Sequence, residues 1–278
     1  MSVVARLFRL LPPRAVQVLE RVVRTWPFTA WPLRPLVRRG MAQILTGEVT
    51  IKRGAGAGLR LEATGAKAAF TVGTDEPAVQ EELVRVLRPG SVLYDVGANV
   101  GFLTLIAARL VGPAGHVYAF EPIAGNARAI ERNAALNGLG NITVLELALS
   151  DRAGDAVLRV PDVNQGAHLA EVVDELIPAE ELVVRTAALD ELAEEQGLRA
   201  PDLVKLDVEG AELLVLEGMR RSLETHRPAL ICELHGTRAA IEELLPRLGY
   251  ELTRVVRDTA RDEHNEHAFA QHLLGREP

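Results

Sequence analysis

From Ser91 onward the chain alternates short, almost wholly apolar runs with segments of helical periodicity, and this alternation most restricts the folds open to it. Val92-Leu-Tyr-Asp-Val96, His116-Val-Tyr-Ala-Phe-Glu121, Ile142-Thr-Val-Leu-Glu-Leu-Ala148, Leu203-Val-Lys-Leu-Asp207 and Ala229-Leu-Ile-Cys-Glu233 read as strands. Residues 102–110, 126–137, 211–223 and 237–247 read as helices, and 78–87 as a helix opened by Glu76-Pro77 and stopped by Pro89-Gly90. Glu251–Val256 and His267–His272 supply two further strands, with His267 and His272 decorating the edge of the last. Strands apolar on both faces and separated by helices mean a parallel sheet covered on both sides. The expected fold is a doubly wound α/β domain.

The 278 residues give room for one such domain and an extension. Three parts are expected: a basic, proline-interrupted helical extension over 1–47, a β-hairpin lead-in over 48–78, and the α/β domain over 79–278, with 151–202 as a substrate-side excursion. The hairpin rests on Glu48–Lys52 and Leu59–Ala63, which alternate apolar and polar residues around Gly54-Ala-Gly-Ala-Gly58. Residues 1–47 hold eight arginines (Arg6, Arg9, Arg14, Arg21, Arg24, Arg34, Arg38, Arg39) and one acid, Glu20; against a net charge of −7 this leaves about −14 on the remainder. So acidic a body disfavours a nucleic-acid partner, whose phosphates call for a basic surface. Five prolines, from Pro12 to Pro35, keep the extension from forming a membrane span or signal peptide. Its basic amphipathic character fits either a helical lid or peripheral contact with a membrane or partner protein. Cys232, the single cysteine, lies in an apolar run and reads as a core residue. No disulfide can form within the chain, which suits a cytoplasmic location. Three lysines among 31 basic residues fit a GC-rich bacterial genome.

In an open α/β sheet a ligand binds at the carboxyl ends of the strands, near the switch point. The first strand ends in Asp95-Val-Gly-Ala-Asn-Val-Gly101, whose glycines allow a sharp turn and close backbone approach. The next helix offers N–H groups to an anion. The second strand ends in Glu121-Pro122, where an acid can take both hydroxyls of a ribose. A dinucleotide needs Gly-x-Gly-x-x-Gly against its pyrophosphate, and here Asn99 and Phe102 occupy glycine positions. That disfavours an NAD(P)-dependent oxidoreductase. S-adenosylmethionine has no phosphate; it needs an acid near its amino group, donors for its carboxylate and an acid for its ribose. Asp95, the Ala98–Gly101 backbone and Glu121 offer these in order.

The same segments resemble a named family. Asp95-Val-Gly-Ala-Asn-Val-Gly-Phe-Leu-Thr104, Phe120-Glu-Pro122, Ala148-Leu-Ser-Asp151 and Lys205-Leu-Asp-Val-Glu-Gly-Ala-Glu212 are similar to successive motifs of FkbM-type methyltransferases, over about Glu76 to Glu233. The resemblance implies a seven-stranded class I, Rossmann-like methyltransferase fold and S-adenosylmethionine as methyl donor. It further implies O-methylation of a hydroxyl on a sugar, glycolipid or polyketide-type small molecule. Carried onto this chain, Glu76, Asp95, Gly97, Ala98, Asn99, Gly101, Glu121 and Pro122 would line the methionine and ribose ends, with Ala148 and Ser150 beside the adenine.

Lys205 and Asp207 share one side of the fourth strand, and Asp207, Glu209 and Glu212 concentrate acid at its tip. Three readings stay open: these acids orient or deprotonate an acceptor hydroxyl; Asp207 with Glu209 or Glu233 holds Mg²⁺ through hard oxygen ligands; or the acids cap the following helix. His235, just beyond the fifth strand, is the most natural base because histidine titrates near neutrality. The catalytic candidates are therefore Asp207, His235, Glu209 and Lys205. Asn164 and His168 in the excursion, with Glu212, are placed on the acceptor side. Asp207-Val-Glu-Gly210 stands where an enzyme methylating nucleobase nitrogens would show Asn/Asp-Pro-Pro-aromatic. A non-enzymatic reading is a binding module that keeps the fold and docks through its basic extension.

Overall fold

The computed structural model describes residues 47–62, 68–161, 168–169, 179–257 and 265–274. The chain divides into two units, the second beginning at Glu76. In the first, β1 (Glu48–Thr50) and β2 (Arg60–Glu62) form an antiparallel hairpin with Val49 opposite Leu61, and α1 (Ala68–Val72) follows. The basic extension, residues 1–46, lies outside the described residues. Among those described, no helix is long and apolar enough to cross a membrane.

The second unit opens with α2 (Pro77–Val86), β3 (Val92–Val96), α3 (Phe102–Val111), β4 (His116–Phe120), α4 (Ala124–Leu136) and β5 (Ile142–Leu145). After an excursion containing β6 (Ala148–Ser150), β7 (Gly154–Pro161), β8 (His168–Leu169), β9 (Ala179–Ala188) and α5 (Leu189–Gln196), β10 (Leu203–Leu206) returns to the sheet. Then come α6 (Glu212–Gly218), α7 (Arg220–His226), β11 (Ala229–His235), α8 (Arg238–Arg247), β12 (Tyr250–Arg257) and β13 (Asn265–His272). Seven strands form one sheet in the order β12-β13-β11-β10-β3-β4-β5. The pairings β11–β10–β3–β4–β5 are parallel, and β13 runs antiparallel between β11 and β12. The chain walks outward from β3 to β5, then crosses back to lay β10 on the other side of β3, which puts the switch point at β3 and β10. This is the class I, Rossmann-like methyltransferase fold.

Packing follows strand alternation. Val92, Tyr94, Val96, Val204, Leu206, Leu230 and Cys232 form one core with Leu189, Val215, Met219, Leu223, Ile241 and Leu245 of the helices on that side. On the opposite face Ala119 packs with Ala98 and Ile130. Helix α3 is apolar nearly all round and buried along most of its length, as a helix against a two-sided sheet should be.

Four expectations need correction. The third strand was read through to Ala148, but Leu147 N–H turns back to Leu145 C=O and breaks the run at Glu146, so Ala148–Ser150 leaves the main sheet and pairs with β9. In the excursion the sequence reads Pro161–His168 as irregular and Val183–Thr186 as a strand leading to a helix at Asp190–Glu195; that strand and helix are present as β9 and α5, but the segment also folds into a second sheet of order β6-β9-β7-β8. The helix expected over 211–223 is two, broken at Met219; at Gly218, just before the break, the chain rides so close over β6 that a Cβ would lie 2.0 Å from the Ser150 carbonyl oxygen. Finally, β13 is an interior strand, so His267 is no edge decoration: it is 2% exposed. His264 lies outside the described residues.

Candidate active site

The loop after β3 is built from three left-handed residues, Gly97 (φ 75°), Asn99 (φ 52°) and Gly101 (φ 88°). At Gly97 the constraint comes from the protein: a Cβ there would sit 1.9 Å from the carbonyl oxygen of Asp207. Asn99 stabilises its own turn, since its Oδ1 accepts the Val100 N–H at 2.8 Å and its N–H donates to Glu121 Oε2 at 2.8 Å. Helix α3 then begins at Gly101 without a side-chain cap, and its first N–H groups are of the kind that can receive an anionic group. Glu121 also accepts from the Ile123 N–H and from Asn126 Nδ2 on Oε1. Burial nevertheless pushes its pKa up to about 7, against those bonds. A buried carboxylate so placed gains from two more donors, and the hydroxyls of a ribose would supply them. Pro122 follows and is half-buried. Ala148 packs in a small apolar cluster with Ile123 and Val208, whereas Ser150 is buried and donates to Asp151 Oδ1.

Exposure decides which acids a ligand can reach. The side chains of Asp207 (22%), Glu209 (21%) and Glu76 (15%) stay accessible. Asp95 does not, and the expectation that it faces the cofactor's amino group is corrected. Its Oδ2 accepts from Thr104 Oγ1 at 2.6 Å and its Oδ1 pairs with Lys205 Nζ at 3.4 Å. Glu212, expected on the acceptor side, is also turned inward: Oε1 accepts the Gly210 N–H and bonds His235 Nδ1, while Oε2 accepts from Thr237. It fastens the strand-four loop to β11 and is out of reach of an acceptor.

Lys205 is buried too. Its Nζ donates to Gly97 O at 3.0 Å and to Asp207 Oδ2 at 3.3 Å. Burial works against its charge, but Asp207, Asp95, Glu76 and Glu233 outweigh it and raise the pKa. Lys205 therefore ties the glycine loop to Asp207. For Asp207, burial and then the charge of Glu233 prevail over Lys205 and push the pKa up to about 8.

His235 closes β11, with Nε2 3.1 Å from Glu209 Oε2 and Nδ1 2.9 Å from Glu212 Oε1. Burial would depress its pKa, but bonds to Glu212 and Glu233 and the charges of Glu209 and Asp207 drive it up to about 11. A shift in that direction favours the protonated ring over the near-neutral base expected here, and the ring lies beside Glu209, itself at φ 52°. Glu233 lies between His235 and His267; burial would raise its pKa, but the two imidazoles hold it far below the usual range.

Among the described residues, two sets of potential metal-ligand atoms lie within 4.8 Å of one another, Glu76/Glu233/His267 and Asp207/Glu233/His235. In the second set Lys205 Nζ already lies 3.3 Å from Asp207 Oδ2, so one of that carboxylate's oxygens is balanced by the chain's own cation. Asn164 lies outside the described residues; the backbone of His168 is in β8, opposite Arg159 of β7, and its side chain is not described. Sequence reasoning missed two participants, His267 as a buried partner of acids and Thr104 as a support for Asp95. Thr104, the one polar residue in the run Phe102–Ala108 of α3, was the available signal.

Comparison with known proteins identifies the family. Residues 95–252 match the model of the methyltransferase FkbM domain. The chain is 31% identical over 189 residues to 31-O-demethyl-FK506 methyltransferase FkbM of Streptomyces tacrolimicus, covering 58% of this chain and 72% of that one. It is 29% identical over 188 residues to the hexuronic acid methyltransferase AglP of Haloferax volcanii, covering 64% and 74%. The crystal structure of methyltransferase FkbM from Methylobacillus flagellatus is 20% identical with a TM-score of 0.46, over 70% of this chain and about half (51%) of that one. With its glycine loop, its strand-four acids and more than half its length matching, the chain belongs to the FkbM methyltransferase family.

Proposed function

We propose that the chain transfers a methyl group from S-adenosylmethionine to a hydroxyl oxygen of a sugar, glycolipid or polyketide-type small molecule. The carrying observation is Asp207: an accessible carboxylate at the switch point, beside the glycine loop, held by Lys205 on one oxygen only. Related proteins support the acceptor class, since one is named for an FK506 oxygen and another for a hexuronic acid. In this reading Glu121 takes the ribose, the α3 end and loop backbone take the carboxylate, and Glu76 takes the ammonium. When bound, the cofactor supplies an activated methyl group. The chain's part is to orient the acceptor hydroxyl and take its proton on Asp207, whose raised pKa matches a base working near neutral pH. Glu209, braced by His235, orients the acceptor.

The test incubates the full chain with S-adenosylmethionine and a panel of glycosides and polyketides, reading a gain of one methylene mass and locating the methyl by NMR. A methyl found on nitrogen or carbon, or no product across hydroxyl acceptors, would sink the proposal. With an acceptor in hand, Asp207→Asn should lower kcat by roughly 10²–10⁴-fold while leaving the KM for the cofactor nearly unchanged.

A further inference from the structure

Sheet register lines up ionisable side chains on the face shared by Asp95 and Lys205. Lys205 lies opposite Asp95 of β3 and Ile231 of β11, so two residues further along Asp207 and Glu233 fall at one level. Glu233 is in turn paired with His267 across the antiparallel β11–β13 ladder. Glu76 enters this row from the loop ahead of α2. The buried His267 Nε2 lies 3.7 Å from Glu76 Oε2 and 3.6 Å from Glu233 Oε2. Burial opposes charge on the imidazole, but Glu233 and Glu76 overcome it and push the pKa up to about 10.

Glu76 carries two further marks. Its backbone is left-handed, with φ 44° and ψ 57°, which a residue with a side chain adopts only when its surroundings hold it there. Its Oε2 is sealed from solvent while the side chain as a whole stays partly accessible. That buried oxygen makes no hydrogen bond and faces His267 Nε2 at ion-pair distance, 3.7 Å, so the accessible part of the side chain is left for a ligand. We propose that His267 is a positioning residue of the cofactor site, holding Glu76 from β13 in the strained conformation in which its carboxylate meets the cofactor's ammonium. This rests on the reading of S-adenosylmethionine as the methyl donor.

The test is calorimetric titration of the full chain with S-adenosylhomocysteine, which bears the same ammonium. His267→Asn, too short to span the two acids, should weaken binding by about tenfold, and adding it to Glu76→Gln should cost less than about twofold more. His267→Gln keeps a donor at the original reach and should lose no more than about threefold. It also secures the cycle if the asparagine variant fails to fold, since its loss too should vanish in the Glu76→Gln background. Equal losses with and without Glu76, or unchanged affinity in His267→Asn, would overturn the positioning role alone. Absence of binding by the unmodified chain would instead overturn the cofactor reading on which it stands.

Discussion

Two loops meet at the switch point, and they are held in different ways. Most of the Gly97–Gly101 turn is determined within a single β-α-β unit, by the Asn99–Val100 bond and the tie to Glu121 at the next strand's end, while Gly97 itself is set by the distant Asp207 and Lys205. The Asp207–Glu212 turn is also left-handed, at Glu209 and Gly210, yet its bonds come from far along the chain. Lys205 reaches back to Asp95 and Gly97, and Glu212 and Glu209 reach forward to His235 and Thr237. The first loop is a shape that a ligand can fill, and the second is a charge balance that distant parts of the chain must complete.

The sharpest way to break this contrast is at the one point where the loops touch. Gly97→Ala puts a methyl group 1.9 Å from the Asp207 carbonyl at φ 75°, so strain and overlap add. We expect a loss of about 4 kcal/mol in urea unfolding, with cofactor binding lost alongside. At Gly101 the added Cβ meets only the Ile130 side chain at 3.1–3.4 Å, which can give way, so Gly101→Ala should cost distinctly less. Equal losses at the two glycines would show that the loops do not lean on each other at Gly97.

The same contrast explains what was readable from sequence. The apolar strands, the flanking helices, the glycine turn and Glu121 were legible because each follows from spacing within a few residues or one β-α-β unit. The roles of Asp95, Glu212 and His235 were not, since their environment is supplied by Thr104, Lys205, Thr237 and Glu209 through folding. An acid at a strand tip reads as ligand-facing until its partners are known; Asp95 and Glu212 prove to be internal, and Asp207 is the accessible member. The second sheet escaped because β7 and β9 pair across the intervening residues 162–178, and His267 because nothing local marks β13 as an interior strand.

A pH scan addresses the charge balance. His235, at about 11, is raised above its unfolded value near 6.5. Its stabilisation is therefore complete below about pH 6.5 and is lost as pH rises through the folded value. Asp207, raised from 3.8 to about 8, works in the same direction: the folded state keeps a proton the unfolded chain has released, so stability falls between those values. The melting temperature should decline steadily from pH 6.5 to 9.5. His235→Gln should lower it by several degrees at pH 6.5 and flatten the decline. A parallel curve, displaced but equally steep, would mean that His235 is not the imidazolium assigned to it.

The smallest effect is expected at Asn99, and it separates shape from charge most finely. Glycine relieves the left-handed strain at φ 52°, which offsets the lost Oδ1 bond to Val100 and the added freedom of the unfolded chain. Asn99→Gly should therefore change stability by less than about 1 kcal/mol, whereas Asn99→Ala, which keeps the strain and loses the bond, should cost about 1–2 kcal/mol. Cofactor affinity should hold in the glycine variant, because what Asn99 gives Glu121 is its backbone N–H and not its side chain. If Asn99→Gly keeps its stability yet loses more than about tenfold in affinity for S-adenosylhomocysteine, the exposed amide itself touches the ligand, and the first loop supplies a specific contact as well as a shape.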